Sequence, residues 1–128
     1  MQLPIVFKNE HFVVIDKPSG VLSVPSRMGK LDKRPVAGLI LQEQIGRRLF
    51  PVHRLDEEVS GLLLFALTHE SHRAANGWFE EHQIRKIYEA ISITPPTEYQ
   101  PHLGKEQLWH SKLMRGKKRA YDADYGKA

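Results

Sequence analysis

The sequence predicts an α+β fold, a mixed and mostly antiparallel sheet with two flanking helices. Three observations lead to it. Residues 5–8 and 12–16 are short β-rich runs separated by Asn9-Glu10-His11, a polar connection suited to a hairpin. Residues 62–67 form a continuous apolar run after Ser60-Gly61, with the length of a buried strand. Residues 35–46 and 69–82 place apolar side chains at helical spacing.

After the hairpin, Lys17-Pro18-Ser19-Gly20 reads as a turn, in which Pro presets φ and Gly accepts a positive φ. Residues 21–25 read as a further extended piece. Residues 26–34 are a polar loop with four cations, Arg27, Lys30, Lys33 and Arg34. Such loops carry binding function or nothing. Gly29-Lys30 is not a phosphate loop, because no Gly stands five residues before Gly29 and neither Ser nor Thr follows Lys30. In the first helix Pro35 suits the first helical position, Val36, Leu39, Ile40 and Ile45 give the apolar face, and Gly46 ends it. Arg47 and Arg48 then favour the helix dipole, a role that competes with one in ligand binding. Thr68 is a candidate N-cap for the second helix, with Ala75, Trp78, Phe79 and His82 on its apolar face. His69 and His72 are three apart, but without cysteine or a third ligand no metal site is expected. Residues 84–93 are β-rich and read as a strand, which puts Lys86, Tyr88 and Ala90 on one face. Residues 94–97 stop it. Trp109, His110, Tyr121 and Tyr125 suit base stacking or core packing equally.

A chain of 128 residues fits one domain with one modest core. The absence of cysteine excludes a disulfide framework and thiolate metal sites, and fits a reducing compartment. No apolar run has the length of a membrane span, and the first residues lack the pattern of a secretory signal, so a cytoplasmic protein is expected. The net charge of +4 is local: residues 105–128 hold seven Lys/Arg and three acids, and the rest of the chain is balanced. A basic stripe attracts a polyanion, RNA being the usual one, and a solvated tail is the plain alternative.

The stretch with most chemistry is residues 52–66. It opens with the polar cluster His53-Arg54-Leu55-Asp56 and runs through Glu57-Glu58-Val59-Ser60-Gly61 into the apolar strand. A loop directly before a buried strand is held in place and still reaches a cleft. Taken alone, the pattern also fits a loop salt bridge leading into the core.

His-Arg-Leu-Asp, then three residues, then Ser-Gly and an apolar run resembles the catalytic motif of the RluA-type pseudouridine synthases, which isomerise uridine in ribosomal or transfer RNA. Ile15-Asp16-Lys17-Pro18-Ser19-Gly20-Val21 is similar to a second signature of the family, and Lys86-Ile87-Tyr88 to a third, in the family's order. The resemblance implies a partial pseudouridine synthase catalytic domain over residues 1–128, with rRNA or tRNA as partner. It implies Asp56 as nucleophile, Arg54 filling the space left by a flipped base and contacting the RNA, and Tyr88 holding the uracil. His53, Lys86 and Lys17 are the further candidate RNA contacts, His53 chiefly as an orienter of the loop. The reaction breaks C1′–N1, turns the base and joins C1′ to C5. It changes no oxidation state and loses no group, so no cofactor and no metal are implied.

The chain departs from the family in two places. Val59 stands where Thr is usual. The later family segment that supplies an Arg to pair with the catalytic Asp does not appear, so a domain truncated at its C-terminus is expected. Two rivals remain: a non-catalytic RNA-binding module that keeps the scaffold, and a carboxylate hydrolase. The hydrolase is disfavoured by the lack of a second acid–base pair.

Overall fold

A computed structural model describes residues 1–91 together with the strands at 113–115 and 120–122. The chain forms two compact units, Met1–Ile87 and Tyr88–Ala128.

The first unit is built on β1 (Ile5–Lys8), β2 (Phe12–Lys17), β3 (Phe50–Pro51) and β4 (Gly61–Ala66). They form an antiparallel sheet in the order β1-β2-β4-β3. The hairpin expected from residues 5–16 is present, and Asn9 makes its turn. The Asn9 side-chain oxygen accepts from the backbone N–H of His11 and Phe12 at 2.9 and 2.7 Å. Strand β4 lies against β2 along its whole length, from Phe12↔Ala66 to Lys17↔Gly61. The one parallel element among the described residues is the isolated bridge Leu22↔Val36, so the mixed sheet expected is, within the sheet itself, fully antiparallel.

One sheet face carries Val13, Ile15, Leu63 and Phe65, all nearly or wholly buried. They form one core with Ala37 and Leu41 of helix α1 (Ala37–Ile45). The helix starts later than the sequence suggests. Pro35 lies outside it because its carbonyl accepts from Leu22 N–H at 2.9 Å and Val36 is bridged to Leu22, which keeps both residues extended. Gly46 ends the helix in the left-handed region, as expected. Beyond it, Arg47 donates to the Leu67 carbonyl at 2.8 Å and Arg48 lies 5.2 Å from the centre of the Phe50 ring.

Helix α2 (His69–Glu80) is capped by Thr68, whose hydroxyl accepts from Ser71 N–H at 3.1 Å. Trp78 packs on Phe12 at 5.5 Å between ring centres. His69 and His72 pack on Phe50. The expected place of His82 on the helix face is corrected. His82 lies past the helix end at φ 55°, with its N–H on the Phe79 carbonyl and Gln83 N–H on that of Trp78. These two bonds make a Schellman stop, which turns the chain away before His82 can continue the apolar stripe.

The strand expected over 84–93 is also corrected for the part described: residues 84–91 pair with no described strand, and Ile87, Tyr88 and Ile91 are exposed. β-propensity measures how well a residue fits a pleated surface, so apolar composition alone does not make a strand where no edge pairs with it. In the second unit, β5 (Leu113–Arg115) and β6 (Ala120–Asp122) pair antiparallel, a hairpin that the basic composition of 111–128 did not announce. The remaining expectations, on the stop at 94–97 and on the side chains of Trp109, His110, Tyr121 and Tyr125, lie outside the described residues.

Candidate active site

The loop between β3 and β4 is built so that one exposed carboxylate sits on a pinned backbone. Leu55 buries its side chain in the core. Its N–H donates to Ser23 Oγ at 2.9 Å, and its carbonyl accepts from the same hydroxyl at 2.6 Å. Glu57 is pinned from the other side: its carbonyl accepts from Gly20 N–H at 2.8 Å and from Lys17 Nζ at 3.2 Å. Asp56 lies between these two anchored residues and is exposed. A turn at Glu57-Glu58, closed by Val59 N–H on the Asp56 carbonyl at 3.2 Å, returns the chain toward β4. Gly61 enters that strand at φ 131°, a conformation that favours glycine, which is the backbone reason for the Ser-Gly pair. Val59 packs against the core, so a β-branched apolar side chain fills this position without a hydroxyl.

Lys17 is the largest correction. It was expected as an RNA contact, and it is fully buried. Its ammonium donates to the carbonyls of Val21 at 2.7 Å, Pro18 at 3.0 Å and Glu57 at 3.2 Å, which uses all three of its N–H bonds. Loss of solvent pushes its pKa below the ordinary lysine value, against the attraction of Glu57, Glu58 and Asp56. The signature around Lys17 is therefore a clamp that ties the 17–21 turn to the Asp56 loop.

His53 also serves the backbone. Strand β3 stops at Pro51, and one position further along β4 the Leu64 N–H donates to His53 Nε2 at 3.1 Å. The ring is thus an acceptor at Nε2, and its neutral form carries the proton on Nδ1. It stacks on Phe79 at 5.0 Å, and Lys86 Nζ lies 5.3 Å from the centre of the same ring. Burial first, and the Lys86 charge second, hold the His53 pKa below its ordinary value of 6.5. A histidine depressed in the folded state contributes stability that is complete above the unfolded value and is lost as pH falls through the folded one. Urea unfolding from about pH 7.5 to about pH 5 is therefore expected to show a steeper loss of stability for the wild type than for His53→Gln, which does not titrate. Parallel curves would remove His53 from this role.

Arg34 ties the 26–34 loop to the same place. Its guanidinium makes a two-point pair with Asp32, at 2.9 and 2.6 Å, and an ion pair with Glu57. Hydrogen bonds from Arg34 and Ser26 hold the Asp32 carboxyl well below the usual carboxylate range. Arg54, by contrast, is exposed, and among the described residues neither Arg54 nor Asp56 is in an ion pair. The structure therefore brings together Lys17, Asp56 and Glu57, and separately His53, Phe79 and Lys86. Tyr88 is the first residue of the second unit and is exposed. Sequence reasoning missed Ser23 and Arg34 as supports. The one signal for Ser23 was its period-two spacing from Val21, which points both side chains inward.

The family model described as RNA pseudouridylate synthase matches residues 11–125. The chain belongs to the RNA pseudouridylate synthase family. Its curated relatives include the tRNA pseudouridine synthase C of Pectobacterium carotovorum, 42% identical over 89 residues, which are 70% of this chain and 23% of that protein. The namesake from Vibrio parahaemolyticus is 41% identical over 91 residues, 71% of this chain and 37% of that protein. The chain thus spans well under half the length of these relatives. Among solved structures, human RNA pseudouridylate synthase domain containing 4 is similar at a TM-score of 0.48 and 25% identity, over 62% of this chain and 30% of that one. No helix among the described residues of this synthase-family chain is long and apolar enough to cross a membrane.

Proposed function

We propose that the chain is part of a catalytic domain that isomerises uridine to pseudouridine in RNA, with Asp56 as the nucleophile. The observation that carries the reading is the placement of Asp56: an exposed carboxylate on a backbone anchored at both neighbouring residues. A carboxylate so held is available to form a covalent intermediate. In the reaction the C1′–N1 bond breaks, C1′ joins C5, the C5 proton leaves and N1 gains one, so the product is an isomer. The target base must leave its stack to reach Asp56. Arg54, exposed two residues before it, fills the vacated space and contacts the RNA. Tyr88 holds the uracil and assists removal of the C5 proton. Lys86 and the basic stretch 105–128 meet the phosphate backbone. His53 acts indirectly, by orienting the loop. The curated relatives are named as tRNA enzymes, which favours tRNA over rRNA as the substrate.

The test is release of tritium from tRNA labelled at uracil C5, with labelled rRNA in parallel. Release from tRNA by the chain is the expected result, and release from rRNA alone would overturn the choice of substrate. Absence of release from both, with RNA still bound, would favour a binding module on the synthase scaffold.

A further inference from the structure

We propose that Ser23 is a positioning residue for Asp56, holding the Leu55 peptide from which Asp56 extends, an inference that rests on the reading of Asp56 as nucleophile. Ser23 is 3% exposed, and its hydroxyl both donates to and accepts from one residue. It accepts from Leu55 N–H at 2.9 Å and donates to the Leu55 carbonyl at 2.6 Å, both bonds being buried. The result is a rung of β-ladder made by a side chain. The Leu55 carbonyl carbon is bonded to the Asp56 nitrogen, so fixing this peptide fixes where the Asp56 backbone begins. The carbonyl on the far side, that of Glu57, is held independently by Gly20 N–H and Lys17.

Ser23 is itself held by the start of α1. Its carbonyl accepts from Gly38 N–H at 3.3 Å, and the adjacent Leu22 exchanges bonds with Pro35 and Ala37 at 2.9 and 2.7 Å. The approach is close: a Cβ at Gly38 would lie 3.4 Å from both the Ser23 carbonyl oxygen and the Phe65 ring, in ordinary van der Waals contact with each. Support for the nucleophile thus runs from the first turn of α1 through Ser23 to Leu55. A hydroxyl donates and accepts at a single atom, which a methyl group does not. With alanine the Leu55 N–H and C=O remain buried without partners, and the loop relieves this by moving.

The test uses the full chain with Ser23→Ala and Ser23→Thr, reading tritium release from labelled tRNA, RNA affinity and amide hydrogen exchange. Ser23→Ala is expected to lower kcat by about 10²-fold, the effect of displacing a reacting group by about 1 Å, while KM and RNA affinity stay at wild-type values. Ser23→Thr keeps the hydroxyl and restores kcat. The Leu55 amide exchanges faster in Ser23→Ala while those of Leu63 and Phe65 keep their protection, which separates local loosening from unfolding. Wild-type kcat or wild-type Leu55 protection in folded Ser23→Ala overturns the proposal. If that variant fails to fold, Ser23→Cys, similar in size but a weak hydrogen-bonding group, is judged by the same two criteria. Absence of release by the wild type defeats the activity reading separately. The exchange experiment then still decides the clamp, because unchanged Leu55 protection overturns it.

Discussion

Replacing Asp56 by Asn is expected to abolish uridine isomerisation and leave RNA binding intact. The amide has the shape of the carboxylate and keeps the exposed position, so the loop loses no packing. It lacks the negative oxygen that forms the covalent bond. Loss of a nucleophile on which the whole reaction depends lowers kcat by at least about 10³-fold. RNA affinity is expected to hold or to tighten slightly, because one negative charge is removed from a surface that meets phosphates. The two quantities are read by tritium release from labelled tRNA and by RNA titration at a fixed salt concentration. Equal losses of binding and turnover would count against the nucleophile assignment and make Asp56 a binding or structural residue.

Replacing Lys17 by Met is expected to lower the unfolding free energy by about 2–3 kcal/mol. Methionine fills nearly the same volume without a donor. The three carbonyls that shared the ammonium are left behind, and they do not suffer equally. The bond to Val21 is buried, whereas those to Pro18 and Glu57 are partly reached by water, so one full and two partial losses are expected. Removing the desolvated charge itself is favourable and offsets part of the cost. The change is read as a shift of the urea midpoint at constant slope. An unchanged midpoint would mean that the carbonyls find other partners and that the clamp is dispensable. The Glu57 carbonyl keeps its bond from Gly20 N–H but loses the one from Lys17, which loosens one of the two anchors beside Asp56, so turnover is expected to fall in the folded variant while RNA affinity changes little.

The hairpin, the buried strand and one end of each helix were legible because their signals are local. Asn9 turns the hairpin from within a few residues, Thr68 caps the helix that follows it, and Gly46 terminates the helix that precedes it. The strand expected over 84–93 failed over its described part, 84–91, for the complementary reason. Ladder pairing requires a second edge, and nothing in a β-rich composition states that an edge is present. The His82 error is of the same kind, since the Schellman bonds that stop α2 depend on backbone geometry that helical periodicity does not encode.

The sequence by itself determined the family motif around Asp56, the strand that follows it and the local basic charge. Each is a matter of residue type and short spacing. Only the tertiary structure decided which polar side chains are free to act. Lys17 reaches the Glu57 carbonyl 40 residues away, Ser23 holds Leu55 32 residues away, and Arg34 pairs with Glu57 23 residues away, whereas Arg54 is exposed. Buried N–H and C=O groups must find partners wherever the fold brings them, so a lysine that resembles a phosphate contact in one dimension becomes a carbonyl clamp in three.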